Sequence, residues 1–192
     1  MSKRTAFLSA VAFGALALTA TIVAPVSAQD KMKSEMSGEK TVMVGGAAMF
    51  PSKNIVQNAV NSKDHTTLVA AVKAAGLVST LEGKGPFTVF APNNAAFAKL
   101  PAGTVDTLVK PENKATLTRI LTYHVVPGKL EASDLTDGKT LKTVEGEELT
   151  VKRSGDTVMI IDSKGGSSTV TIPNVNQSNG VIHVVDAVLM PS

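Results

Sequence analysis

Three histidines, His65, His124 and His183, supply the acid–base groups that titrate near neutral pH, and Tyr123 is the single tyrosine. The chain has no cysteine, so thiol nucleophiles, thiolate metal sites and disulfides are excluded. His65 lies in the polar run Ser62-Lys63-Asp64-His65-Thr66 and reads as an exposed turn residue. His124 and His183 each interrupt an apolar segment, between Tyr123 and Val125 and between Ile182 and Val184. They could pair as metal ligands or as base and acid, or each could be a buried imidazole bonded to backbone. Two histidines without a third ligand make a poor metal site, which favours the second reading.

Other catalytic and binding motifs fail on spacing. The sequence contains neither a Gly-x-Ser-x-Gly elbow nor a His-Glu-x-x-His helix. Gly138-Lys139-Thr140 ends like a phosphate loop, but Ser133 stands where that loop needs glycine, and no helix is expected to follow. Asp134, Asp137, Glu145, Glu147 and Glu148 lack the alternation and glycine of a calcium loop and read as a solvated surface. No catalytic, cofactor or metal residue is assigned, and the chain is not expected to be an enzyme. Four of the seven methionines, Met32, Met36, Met43 and Met49, fall in one short stretch. Thioethers suit Cu(I), but no His or Cys accompanies them, so the alternatives are a copper-collecting arm or a leader in which Met49 docks beside Phe50.

The elements that would position these groups begin after an N-terminal leader. Lys3 and Arg4 precede an apolar run from Ala6 to Val23, and Val26-Ser27-Ala28 resembles a cleavage site. Residues 1–28 therefore read as a signal peptide cut after Ala28, which implies a secreted or periplasmic protein without a transmembrane anchor once cleaved. Cleavage removes two basic residues and leaves 17 against 16 acidic ones, so the pI of 9.1 overstates the charge of the mature chain. With that balance and 4% aromatics, nucleic-acid binding is not expected. Residues 29–50 read as a flexible polar linker and residues 51–192 as one domain.

Within the domain, Ser52 can cap a helix carrying Ile55, Val56, Ala59 and Val60. Asp64 or Thr66 can cap a second, with Leu68, Val72 and Ala75 on one face. Phe87-Thr88-Val89-Phe90 reads as a buried strand that Pro92 stops. Asn93 or Asn94 then caps a short helix containing Phe97. Two further helices precede Tyr123–Val126, read as a strand ended by Pro127-Gly128. Alternation in that strand puts Tyr123 outside if His124 faces the core. Strands are expected at 139–144, 148–152, 157–161, 168–172 and 181–189. Gly180 is expected to supply a positive φ at the Asn179-Gly180 turn. Phe90, Phe97, Leu121, Val125, Ile182 and Val184 are expected in one cluster. The helical first half and strand-rich second half make the fold α+β.

Three blocks in order, Phe87 to Pro101 with Phe87, Phe90, Pro92, Asn93 and Phe97, then Tyr123-His124-Val125-Val126, then Asn179 to Pro191 with Asn179, Gly180, His183 and Asp186, resemble the fasciclin (FAS1) domain. The resemblance implies a β-wedge or sandwich with helices along one side. It also implies a non-catalytic cell-adhesion or interaction module whose partner contacts involve Tyr123, His124, Val125 and Val126. The partner would be a cell-surface, envelope or matrix protein, or a polysaccharide. The alternative is an exported carrier of a small apolar ligand or a soft metal.

Overall fold

The computed structural model describes residues 40–192. The leader and Met32 and Met36 lie outside them. Asn54 begins α1 (Ile55–Ala59) with a reciprocal cap, its side chain accepting from Gln57 N–H while Gln57 accepts from Asn54 N–H. The cap expected at Ser52 thus falls two residues later. Helix α2 (Thr66–Ala75) ends at Gly76, whose φ of 74° is the left-handed conformation glycine tolerates. No side chain at its own start caps it. Instead Asn94 Oδ1, from across the fold, accepts from Thr67 N–H at 3.2 Å. Helix α3 (Val78–Leu81) leads through Gly85-Pro86 into the central strand.

Strands β1 (Val42–Val44) and β2 (Ala47–Met49) form a hairpin that buries Val44 and Met49. The expectation of a flexible linker through residue 50 is therefore corrected for residues 42–49. The turn is Gly45-Gly46, both with positive φ, as a two-residue hairpin loop requires.

A seven-stranded sheet runs β4-β3-β9-β8-β7-β6-β5. Its members are β3 (Phe87–Pro92), β4 (Val125–Pro127), β5 (Thr140–Lys142), β6 (Glu148–Ser154), β7 (Thr157–Ile161), β8 (Ser167–Gln177) and β9 (Gly180–Val185). β3 and β9 pair in parallel and the other neighbours are antiparallel. β9 is buried at every residue, as a strand covered on both faces must be. The two outer strands approach each other, and Val144 N–H donates to Val125 C=O at 2.8 Å, so the sheet is nearly closed. Helices α4 (Asn94–Ala98), α5 (Thr104–Leu108) and α6 (Lys114–Tyr123) complete an α+β fold.

Strand alternation sorts the apolar residues into two cores. Val89, Ala91, Val125, Ile182 and Val184 face the helices, with Leu68, Val72, Leu117 and Leu121. Phe90, Val126 and Val185 face the opposite way, with Tyr123, Leu135, Leu149, Val151 and Ile160. The single cluster expected from the sequence is corrected accordingly. Phe90 belongs to the second core, and Phe97 is half-buried against the first. Because β3 has period two, Phe90 cannot share a face with Val89 and Ala91. Asn93 caps α4, accepting from Ala96 N–H at 2.8 Å.

Candidate functional site

The Tyr123–Val126 segment joins α6 to β4, and the helix runs further than expected. Leu117, Ile120, Leu121 and His124 stand at i, i+3, i+4 and i+7, so one helical stripe carries the chain to the C-cap, His124. Tyr123 is the last helical residue. Strand alternation does not apply to it, and the expectation of an external ring is corrected. Tyr123, His124, Val125 and Val126 are exposed by 0%, 2%, 7% and 3%. These four side chains form core, and none offers a partner a contact surface in this fold.

Each polar group of the segment is matched. The Tyr123 hydroxyl accepts from Ser163 N–H at 2.9 Å, which anchors the loop after β7. His124 Nδ1–H donates to Ile120 C=O at 2.8 Å, and Nε2 accepts from Leu189 N–H at 3.0 Å. Those two bonds fix the neutral tautomer. Burial, opposed by the Ile120 carbonyl and the field of Asp162, pushes the His124 pKa down to about 4.

His183 is equally enclosed. Nε2–H donates to Leu130 C=O at 2.8 Å, and Nδ1 accepts from Asn174 N–H at 3.4 Å. Asn174 has φ of 57° within the irregular stretch of β8, and its side chain accepts from Ala132 N–H at 2.7 Å. The imidazole stacks on its register partner Phe90, centroids 5.7 Å apart and planes 26° from parallel. Burial lowers its pKa, with the Leu130 carbonyl acting in the opposite sense. His124 and His183 share no hydrogen-bond partner. Among the described residues no group of three or more His, Cys, Asp or Glu side chains could hold a metal ion. Of the two methionines described in the N-terminal stretch, Met49 is in the core and Met43 is 60% exposed.

The Asn179–Asp186 block is bonded to the rest of the fold at both ends. Asn179 accepts from Ile55 N–H and donates to the carbonyls of Leu81 and Gly83, tying two helices to the start of β9. Gly180 lacks the expected positive φ. It is opposite Phe87 in the parallel ladder, and a β-carbon there would overlap the Phe87 carbonyl oxygen. Close approach, not turn geometry, requires glycine. Asp186 ends β9 by accepting from Thr169 N–H at 2.7 Å and pairing with Lys99 at 3.2 Å. Burial raises its pKa, but these partners outweigh it and the net shift is downward. The strand expected to run to Leu189 stops here because Ala187 N–H and Leu189 N–H turn to Ser168 Oγ and His124.

Two features are not legible in the sequence. His65 is buried, at 3% exposure, where an exposed turn was expected. Its polar neighbours concealed that position, since only the i, i+3 relation to Leu68 marks it as inward. The other is a surface cluster beside the Tyr-His segment. Arg119 on α6 binds Glu145 at 2.7 Å and Glu147 at 2.8 Å, next to Val144, which is 45% exposed.

The Fasciclin domain family model matches residues 63–191. Protein sll1483 of Synechocystis is 49% identical over 153 residues, 80% of this chain and 82% of that protein. The cell surface glycolipoprotein MPB83 of Mycobacterium bovis is 39% identical over 153 residues, 77% of this chain and 64% of its own length. The structure of a FAS1 domain pair from the insect cell adhesion molecule Fasciclin I superposes with a TM-score of 0.65 at 19% identity, over 73% of this chain and 52% of that one. Among the described residues no helix is long and apolar enough to cross a membrane.

Proposed function

The chain belongs to the fasciclin domain family, and from that premise we propose that it is an exported, non-catalytic interaction module that binds a cell-surface, envelope or matrix component. Residues 1–28 would act as the export signal. Relatives described as a cell surface glycolipoprotein and a cell adhesion molecule support the reading.

One observation carries the choice of surface. The Tyr123–Val126 segment is spent on packing, but it backs an exposed patch in which Val144 stands beside the Arg119–Glu145–Glu147 cluster. An apolar centre rimmed by charge suits protein recognition. The segment would then act by holding α6 and the 143–147 turn in place rather than by touching the partner.

Immobilised envelope protein and surface polysaccharide, offered to the wild type and to Val144→Asp and Arg119→Glu, test this. Lys152→Glu on β6 serves as control. Binding reduced about tenfold or more by the first two and unchanged by the control is expected. Equal binding by all four proteins would move the surface elsewhere.

A further inference from the structure

Between α1–α3, the β1–β2 hairpin and the helix-facing side of the sheet lies a cavity of about 80 Å³. Its lining is almost wholly apolar and includes Met49, Leu68, Val72, Val78 and Val89. Lys73 and Thr80, also in the lining, are exposed, so the space communicates with solvent. A close-packed interior normally leaves no such void. The volume accommodates a chain or ring of about six carbon atoms.

One polar side chain is buried in this wall with an unmet valence. His65 Nδ1 is bonded to Ser62 Oγ at 2.9 Å, and Ser62 is itself 2% exposed. His65 Nε2 is buried and has no hydrogen-bond partner. The Ala91 carbonyl is near enough to favour a proton on the ring but does not complete a hydrogen bond. Burial keeps the imidazole neutral by lowering its pKa. Leaving such a nitrogen unpaired costs free energy that a ligand group could recover.

The geometry points to this cavity as a binding site for a small neutral molecule of about six carbons, whose single hydroxyl or carbonyl group pairs with His65 Nε2. An apolar pocket with a single orienting polar group is the common form of small-molecule sites. The cavity shares Val144 with the surface proposed above, but Arg119, Glu145 and Glu147 lie outside its lining.

Phenol and benzene are suitable probes because they share a ring and differ in the hydroxyl. Each is titrated into the ¹⁵N-labelled full chain and followed by NMR. Phenol is expected to saturate, shifting the His65 ring nitrogens and the amides of Leu68, Val72 and Val89. Benzene should bind about tenfold more weakly, the loss that one unmade hydrogen bond produces. His65→Phe should remove the phenol preference, and Val78→Phe should abolish both bindings by filling the space. Absence of saturable shifts for both probes on the folded wild type would overturn the site. So would phenol binding that leaves the His65 ring signals unmoved, which decides the question even if either variant fails to fold.

Discussion

The Nε2 of His124 accepts the backbone N–H of Leu189 across 65 positions of sequence, tying the end of α6 to the segment that follows β9. Protonation converts that acceptor into a donor and breaks the tie. The folded-state pKa of about 4 lies below the ordinary value of 6.5. The unfolded chain therefore takes up the proton first, and stability, complete above pH 6.5, is lost as pH falls toward 4. A shift of that size corresponds to about 3 kcal/mol. His65 and His183 are shifted in the same direction and add to the loss. Melting temperatures measured from pH 8 to pH 4 should fall, and His124→Gln should flatten the lower part of the curve.

Tyr123→Phe removes the acceptor for Ser163 N–H and should cost about 1–2 kcal/mol. Tyr123→Ala also empties a fully buried site in the second core and should cost about 3–5 kcal/mol. Denaturant titration distinguishes these from a surface residue, whose replacement leaves the midpoint within about 0.5 kcal/mol.

The two phenylalanines of the first motif should behave differently. Phe90→Ala empties the second core and is expected to cost about 3–5 kcal/mol, and Phe97→Ala, half-buried against the first core, about 2 kcal/mol. Because they belong to separate clusters, the double mutant should be additive to within about 0.5 kcal/mol. A coupling well beyond that would show that the two cores are mechanically one.

Gly180→Ala forces a β-carbon against the Phe87 carbonyl and should destabilise by about 3 kcal/mol, through displacement of the central parallel pair. A melt within a degree of wild type would mean that the pair separates freely.

A chain beginning at Phe50 should be less stable than one beginning at Lys40. It lacks the hairpin that buries Val44 and Met49, two side chains worth about 1.5–3 kcal/mol each. Equal denaturation midpoints for the two chains would assign the hairpin no part in the fold.

Much of this architecture could be read from residue types. Phe87–Pro92, a cap at Asn93 or Asn94, and most strands of the second half follow from alternation and turn chemistry. The errors have identifiable causes. Gly45-Gly46 between two short apolar runs is a hairpin signal, but the polar leader before it and the small side chains around it imitate a linker. Tyr123-His124-Val125-Val126 looks β-like in isolation, although the stripe from Leu117 to His124 already extends the helix. Gly180 reads as a turn glycine because the Phe87 carbonyl opposite it is 93 positions away in sequence. The surface beside Val144 was unreadable for a similar reason, since α6 and the 143–147 turn meet only in three dimensions.

The hydrogen bond from Val144 to Val125 has a colloidal consequence. Where β4 and β5 meet, the sheet presents no long unpaired rim that a neighbouring copy could extend. Copies crowded side by side would therefore lack the template that drives strand-to-strand polymerisation there. Dense display would bring together side-chain surfaces, whose contacts are reversible, instead of backbones that zip into fibrils.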